Sequence, residues 1–177
     1  MSSLWSLGDR LILGLAEEGQ AFQNMQRHSE CVVNLPSGNI WQQVEAIAPT
    51  TGCQPVPEGK LAQGYRHEAD KFKLGGFSFA DSECIAPKRV ANCPIQVEAQ
   101  ILNDFLPTQT HDKLGWVIVE AKALKVWVHE ELVIPDSQHI DPEKWKPLLY
   151  IWRNYFTTSE VLGQNFRDET RAVRKSL

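Results

Sequence analysis

The sequence predicts a mainly β protein, an antiparallel β-barrel with a few peripheral α-helices. Short apolar or alternating segments recur along the chain, whereas long amphipathic helices do not. Strands and helices also fail to alternate in the rhythm that is typical of a parallel α/β sheet. Because no internal repeat or interdomain linker interrupts the 177 residues, we expect a single domain over residues 1–177.

Two strands and two helices are predicted in the first third of the chain. Residues 11–15 are an apolar run between turn residues, which is typical of a buried strand. Residues 21–28 show helical spacing, and residues 31–35 form a second apolar strand that Pro36 ends. Four apolar side chains then recur at helical spacing: Ile40, Trp41, Val44 and Ile47.

The middle of the chain is predicted to hold a loop, a bend and three strands. Residues 49–64 are rich in proline and glycine, which is typical of a loop, and residues 70–79 contain a Gly-Gly pair that predicts a bend. Residues 95–101 alternate strictly between apolar and polar side chains, as in a strand with one wet face. Two separate strands are predicted at residues 114–119 and 121–129.

A helix is predicted to begin at Asp141 near the end of the chain. Aspartate at the cap, followed by proline in the first turn, is favoured at helix starts. Helical spacing then predicts core positions for Trp145, Leu148 and Trp152, and Pro147 should bend or split the helix.

Composition and charge exclude several classes of protein. A net charge of -4 does not favour a nucleic-acid-binding protein, and the tail at residues 167–175 mixes basic with acidic side chains like a solvated helix face. No apolar run approaches membrane-spanning length, and no signal-peptide pattern opens the chain. Four scattered cysteines without a C-x-x-C pair predict reduced thiols and a cytoplasmic location.

Motifs of the common enzyme classes are absent from the sequence. There is no G-x-G-x-x-G and no phosphate-binding P-loop. A zinc motif of the H-E-x-x-H type fails because Val133 stands where the second histidine is needed, and residues 76–80 lack the second glycine of a nucleophile elbow. The sequence therefore predicts no metal site and no catalytic acid, base or nucleophile.

A glycine-containing turn leads into the first predicted helix at residues 19–25. Free backbone N–H groups and the helix dipole favour a phosphate at such a point, and the side chains of Gln20 and Asn24 would add donors. Most helix starts bind no ligand, so from these residues alone a purely structural role is the stronger interpretation.

Four ordered segments together resemble the flavin reductase-like family, whose members bind FMN on a split β-barrel with Greek-key strand order. The segments are E-C-V-V-N-L-P-S-G-N at residues 30–39, the turn at residues 19–25, D-K-F at residues 70–72, and residues 147–155. The resemblance extends from Met1 to about residue 158, and it implies that fold and that cofactor.

The resemblance implies a phosphate site at residues 19–24. Family members carry an S-R-T-x-x-N-type sequence there, and Asn24 matches it. Gln20 stands at the basic position and Ala21 at the hydroxyl position. Loss of the cation and the hydroxyl would weaken phosphate binding by about 1–3 kcal/mol, the usual range for charge-assisted hydrogen bonds.

The first residues resemble the family's S-S-S-W stretch, in which hydroxyls and backbone amides face the phosphate and the flavin ring. This stretch comprises Ser2, Ser3, Leu4 and Trp5. Because a strand usually precedes it in the family, the resemblance implies that the N-terminal strand is missing and that the barrel has an open edge. The residues alone would instead predict a frayed terminus.

Further residues are implied to surround the isoalloxazine ring. The family places a V-N-L-P backbone beside the ring, D-K-F at its edge, a histidine on the nicotinamide side, and a Y-x-x-R-x-Y-like segment close by. Without the resemblance, these would be a strand end, a surface turn, a structural histidine and core aromatics. The corresponding residues here are Asn34, Leu35, Lys71, Phe72, His129, Tyr150 and Arg153.

The resemblance also implies a function. It predicts noncovalent FMN, hydride transfer from NAD(P)H to flavin N5, and a homodimer with the flavin at the subunit junction and an apolar helix at residues 145–156 in the interface. A second hypothesis is a non-enzymatic FMN-binding electron carrier or sensor, motivated by Gln20 and Ala21. A third is a truncated, cofactor-free relative, motivated by the missing strand.

Overall fold

The computed structural model describes residues 3–105 and 115–163, so Ser2 and the tail at residues 167–175 lie outside the described part. Its longer strands are β1 (Ser3–Leu7), β2 (Arg10–Ala16), β3 (Glu30–Leu35), β8 (Ile95–Phe105) and β9 (Trp116–Val128), and its shorter strands are β4 (Thr50–Thr51), β5 (Arg66–His67), β6 (Phe79–Ala80), β7 (Arg89–Val90), β10 (Leu149–Ile151) and β11 (Asn154–Phe156). The α-helices are α1 (Gln20–His28), α2 (Trp41–Ile47), α3 (Glu58–Ala62) and α4 (Lys71–Gly75), and 3₁₀ turns span Gly38–Ile40 and Glu130–Leu132.

The longer strands form one antiparallel sheet in the order β1-β2-β9-β8-β3. Its buried face carries the core, because side chains on a strand alternate between faces and neighbouring strands place their apolar positions side by side. Leu11 lies opposite Ala121 and Leu13 opposite Val119, all four being buried. Helix α1 packs on this cluster through Phe22, its buried residue. The mainly β, antiparallel prediction is confirmed.

The predicted strands at residues 11–15 and 31–35 and the helix at 21–28 are confirmed as β2, β3 and α1. The separation of residues 114–119 from 121–129 is wrong. Glu120 pairs with Ile12 on one side and with Asn103 on the other, so one strand of 13 residues continues through it. The bend predicted at residues 70–79 begins with α4, whose start is capped by the Asp70 carboxylate accepting the N–H of Lys73.

The strands that the structure describes do not close the predicted split barrel. Strand β1 pairs with β2 and β3 pairs with β8, which leaves both as edges of an open sheet in the part of the chain that the structure describes. Residues Ser3–Leu7 are not frayed, because they make the β1 edge strand.

The helix predicted at residues 145–156 is wrong. Asp141 caps only one turn, in which its carbonyl accepts the N–H of Trp145, and the chain then enters a β10–β11 hairpin. Pro147 cannot donate the hydrogen bond that a continuing helix needs, and aromatic side chains on both strands favour the hairpin. Leu148 is buried as predicted, whereas Trp152 sits at the hairpin tip and is 90% exposed.

Glu98 is fully buried on β8 and holds the segment at residues 81–90 against the sheet. Its carboxylate accepts the backbone N–H groups of Glu83 (3.1 Å) and Cys84 (2.7 Å) and the indole N–H of Trp127 (2.6 Å), and Arg89 lies 3.7 Å away. Burial alone would raise the pKa of Glu98, but these hydrogen bonds and Arg89 hold it below its usual value. Glu98 is therefore an ionised structural carboxylate.

Candidate functional site

Helix α1 begins at Gln20 without a side-chain cap. Gly19 precedes it in an extended conformation, and the first turn carries no acidic residue. The positive end of the helix dipole is therefore not neutralised by the helix's own side chains. Two predicted site residues meet here, since the Gln20 amide donates a 2.9 Å hydrogen bond to the Asn24 side chain. Ala21 is exposed next to them.

A loop from the middle of the chain packs against this helix start. Gly52 lies so close to Gln20 that an added Cβ would be 3.1 Å from its side chain. The thiol of Cys53 donates to the carbonyl of Glu18 at 3.2 Å, and His67 contacts the Cys53 carbonyl through Nδ1 at 3.1 Å. The loop is thus fastened to the residues immediately before α1.

Two lysines bring positive charge to the same place. The Lys60 ammonium donates to the Glu18 carbonyl at 3.4 Å, and the Lys71 ammonium donates to the Thr50 carbonyl at 3.1 Å. Burial lowers the pKa of Lys71 and the nearby charge of Lys60 lowers it further, against the opposing effects of Cys53 and Glu68. Two mutually repelling cations beside an uncapped helix start form a site that an anion would stabilise.

Sequence reasoning found Gln20, Asn24 and Lys71 but missed Lys60 and Cys53. Lys60 belongs to a stretch rich in proline and glycine, and its contact with Glu18 spans 42 residues. No local spacing signals such a contact, because only the folded loop brings the two segments together.

Phe72, predicted beside Lys71, packs in the short helix α4. Its ring meets that of Phe79 edge-on, with the ring centroids 6.2 Å apart. Capping by Asp70 orients α4, so the D-K-F segment is an ordered helix start that directs Lys71 towards Thr50.

Asn34 and His129 both support the segment around β7. The Asn34 side-chain oxygen accepts the N–H of Val90 at 2.9 Å. One ring nitrogen of His129 lies 3.1 Å from the Ala91 carbonyl and the other 3.4 Å from the Glu131 carboxylate. These side chains therefore have structural partners, and neither bonds to the residues at the start of α1.

Leu35 closes β3 opposite Ile95 and is half-buried. The predicted N-terminal site residues Ser3, Leu4 and Trp5 lie on the β1 edge, where Ser3 faces Gly14 and Trp5 is 57% exposed.

The last two predicted site residues, Tyr150 and Arg153, belong to the β10–β11 hairpin. Arg153 lines a cavity of about 510 Å³ between α2 and this hairpin. Tyr155 stacks at a tilt on Trp41 (5.9 Å) and on Tyr150 (5.5 Å), and its hydroxyl donates to Glu45 at 2.8 Å. Burial raises the pKa of Tyr155 to about 12, and the hydrogen bond to Glu45 and its charge contribute to the rise.

Other kinds of site find no support in residues 3–105 and 115–163. These residues hold no cluster of three or more His, Cys, Asp or Glu side chains that suits a metal ion. Within the same ranges, no helix is long and apolar enough to cross a membrane. All four cysteines are free thiols in the structure.

Comparison with known proteins finds a relative in Bacillus subtilis. No protein-family model matches the chain. The uncharacterized protein YdfE of Bacillus subtilis (strain 168) is 38% identical over 170 residues, which cover 96% of this chain and 80% of YdfE.

Solved structures are similar at the level of the fold. Flavoredoxin of Desulfovibrio vulgaris (Miyazaki F) superposes with a TM-score of 0.71 at 15% identity, over 94% of this chain and 80% of its own. Nitrilotriacetate monooxygenase component B of Bacillus cereus gives 0.70 at 15%, over 92% and 76%. The 2-nitrobenzoate 2-nitroreductase NbaA of Pseudomonas fluorescens gives 0.69 at 13%, over 95% and 75%. The chain therefore belongs to one family with YdfE, and its fold is that of the flavin reductase-like split-barrel proteins, as the resemblance predicts.

Proposed function

We propose that this chain binds FMN noncovalently and acts as an NAD(P)H-dependent flavin reductase. The observation that carries the proposal is that Lys60 donates to the Glu18 carbonyl, just before the uncapped start of α1, and that Lys71 lies close enough to Lys60 and Cys53 for their charges to interact. Two ammonium groups, a helix dipole and the amides of Gln20 and Asn24 suit a phosphate dianion. The name of one structural neighbour, flavoredoxin, refers to a flavin.

The lysine pair answers the difficulty that Gln20 and Ala21 raise. Gln20 and Ala21 replace the basic and hydroxyl residues of the family's phosphate sequence. Lys60 and Lys71, from the segment at residues 50–71, would supply positive charge instead. In this proposal Lys71 binds the phosphate, Lys60 adds charge, and Asn24 donates through its amide. A bound flavin would supply the redox chemistry by accepting hydride at N5, so the protein needs no catalytic acid or base of its own.

The remaining predicted residues belong to the proposal through the resemblance. Ser3, Leu4 and Trp5 would face the flavin from the β1 edge, and Ser2 would contribute to the same site. The chain around Asn34 and Leu35 would run beside the ring with Phe72 at its edge. His129, Tyr150 and Arg153 would lie near the nicotinamide or the ring. Greek-key strand order, a single domain, a homodimer and a cytoplasmic location are proposed on the same basis.

The test begins with the absorbance spectrum and the flavin content of the purified chain, followed by FMN titration monitored by flavin fluorescence and by NADH and NADPH oxidation. We expect FMN to bind and to be reduced by a nicotinamide nucleotide. A chain that fails to bind added FMN contradicts the proposal.

Substitution of Lys71 tests the phosphate site directly. We expect Lys71→Gln to weaken FMN binding by about 10- to 150-fold, because a charge-assisted hydrogen bond contributes about 1.5–3 kcal/mol. Riboflavin, which lacks the phosphate, should bind both proteins equally. Lys73→Gln is the matched control, since Lys73 is exposed on the same helix. Equal weakening of riboflavin would show that Lys71 does not contact the phosphate.

A specific observation favours the second candidate, an FMN-binding electron carrier or sensor. Both ring nitrogens of His129 already have protein partners. In the proposed site, His129 would therefore have no free ring nitrogen with which to bind the nicotinamide. Bound FMN that dithionite reduces but NADH and NADPH do not would favour the carrier over the reductase.

A further inference from the structure

Glu68 lies between the two segments that position Lys71. Its backbone N–H donates to the Thr51 carbonyl at 2.9 Å, directly after the parallel pairing of β4 with β5. Its carboxylate accepts the N–H of Asp70, the residue that caps α4, at 2.8 Å. Because Thr51 is buried, Glu68 connects the start of α4 to a fixed point of the structure.

The same arrangement determines where the Lys71 ammonium lies. Lys71 is the first residue of α4, and its ammonium donates at 3.1 Å to the carbonyl of Thr50, the neighbour of Thr51. An ammonium group has three donors, so this bond leaves donors for a ligand. A displaced start of α4 would carry Lys71 away from Thr50, because the five residues of α4 form little more than one turn.

Charges act on Lys71 from each segment packed against it. Burial lowers its pKa, and Lys60 on α3 lowers it further, whereas Cys53 and Glu68 oppose this effect. Of these two, Glu68 is the carboxylate and carries a negative charge at neutral pH, while the Cys53 thiol donates a hydrogen bond to a backbone carbonyl. Two other titratable groups nearby have partners of their own: His67 contacts the Cys53 carbonyl, and Asp70 accepts the Lys73 N–H.

We propose that Glu68 is a positioning residue for the phosphate site, which holds the start of α4 in place and keeps Lys71 in its ammonium form. This role rests on the proposed function, because the FMN phosphate is the ligand that the ammonium would bind. It adds a dependence on pH, since FMN binding weakens at alkaline pH as Lys71 loses its proton. Removal of the Glu68 charge lowers the pKa of Lys71 further, so the weakening begins at a lower pH.

The flavin-free chain provides the first test. NMR of isotopically labelled lysine Cε carbons follows the titration of Lys71, and Lys71→Gln assigns its signal. Glu68→Gln keeps an oxygen that can accept the Asp70 N–H but removes the charge, so the pKa of Lys71 should fall. Glu58→Gln is the matched control, because Glu58 is an exposed carboxylate on α3 that is not one of the charges acting on Lys71. An unchanged Lys71 titration in Glu68→Gln would overturn the proposal.

The affinity for FMN relative to riboflavin tests the consequence for binding. A phosphate monoester stays a dianion between about pH 7 and about pH 10, and riboflavin corrects for ionisation of the ring. At neutral pH, Glu68→Gln should bind FMN as tightly as the unsubstituted chain or more tightly, because a negative charge near the phosphate is lost. At the pH where Lys71 of the unsubstituted chain is half protonated, the FMN preference of Glu68→Gln should be about threefold smaller, the size expected of one half-buried charge.

A second variant separates position from charge. Glu68→Ala removes the acceptor of the Asp70 N–H as well as the charge, so it should weaken FMN binding at neutral pH too, by about two- to tenfold, the effect of one lost hydrogen bond. Far-UV circular dichroism checks that both variants are folded. Equal FMN binding by Glu68→Ala and Glu68→Gln at neutral pH would contradict the positioning role.

These outcomes are distinct from failure of the proposed function. FMN binding whose pH dependence is the same with and without the Glu68 charge would overturn the role of Glu68 and leave the proposed function standing. A chain that binds no FMN at any pH would overturn both.

Discussion

Glu98→Gln is expected to lower the free energy of unfolding by about 3 kcal/mol, the range for breaking a buried charged network. The two carboxylate oxygens accept N–H groups from Glu83, Cys84 and Trp127. Glutamine fills the same space, but its NH₂ group would point a donor at one of these donors and would leave Arg89 without its buried counter-charge. Urea unfolding at neutral pH measures the change as a lower midpoint at unchanged m-value.

The control for this variant is Glu83→Gln. The Glu83 carboxylate pairs with Lys125 at the surface and its side chain is 57% exposed, so its loss should cost less than about 1 kcal/mol. If Glu98→Gln were as mild as this control, the hydrogen bonds to the buried carboxylate would not be what holds residues 81–90 on the sheet.

The same carboxylate predicts a dependence on pH. Its pKa is held below the usual value in the folded state, so the stabilisation is present above the unfolded-state pKa and is lost as the pH falls through the folded-state pKa. The difference in unfolding free energy between the unsubstituted chain and Glu98→Gln should therefore shrink on acidification. A difference that grew as the pH fell would contradict this sign.

Phe22→Ala is expected to cost about 3–5 kcal/mol of stability, the usual loss for a buried aromatic side chain. Phe22 is 4% exposed and joins α1 to the core under β2 and β9. Because α1 also carries Gln20 and Asn24, the substitution should weaken FMN binding as well. Thermal unfolding and the FMN titration measure the two effects on one sample.

Two further variants bracket this result. Phe22→Leu keeps most of the volume and should cost less than about 1.5 kcal/mol. Gln26→Ala changes an exposed side chain on the same helix and should stay within about 0.5 kcal/mol. If Gln26→Ala lowered FMN affinity as much as Phe22→Ala, any change on α1 would weaken FMN binding. The effect of Phe22→Ala would then not be due to the loss of the buried Phe22 side chain.

Local pattern was sufficient where neighbouring residues decide the structure. A few neighbouring residues predict each of three elements. An apolar run predicts β2, helical spacing predicts α1, and the alternation of apolar and polar side chains predicts the start of β8. Pattern failed where partners distant in sequence decide. Glu120 stays in β9 because strands on both sides pair with it, and the segment after Pro147 forms a hairpin because its two strands pair with each other.

The candidate site divides in the same way. The sequence by itself determined the flavin reductase-like resemblance, the helix start at Gln20 and the missing cation of its phosphate sequence, since these depend on residues adjacent in the chain. Only the tertiary structure decided that Lys60 reaches Glu18, just before that helix start, with Lys71 nearby, and that Arg153, Trp41 and Glu45 line one cavity. Electrostatic and aromatic contacts act over a few ångströms in space, and no spacing along the chain encodes which segments the fold will bring that close.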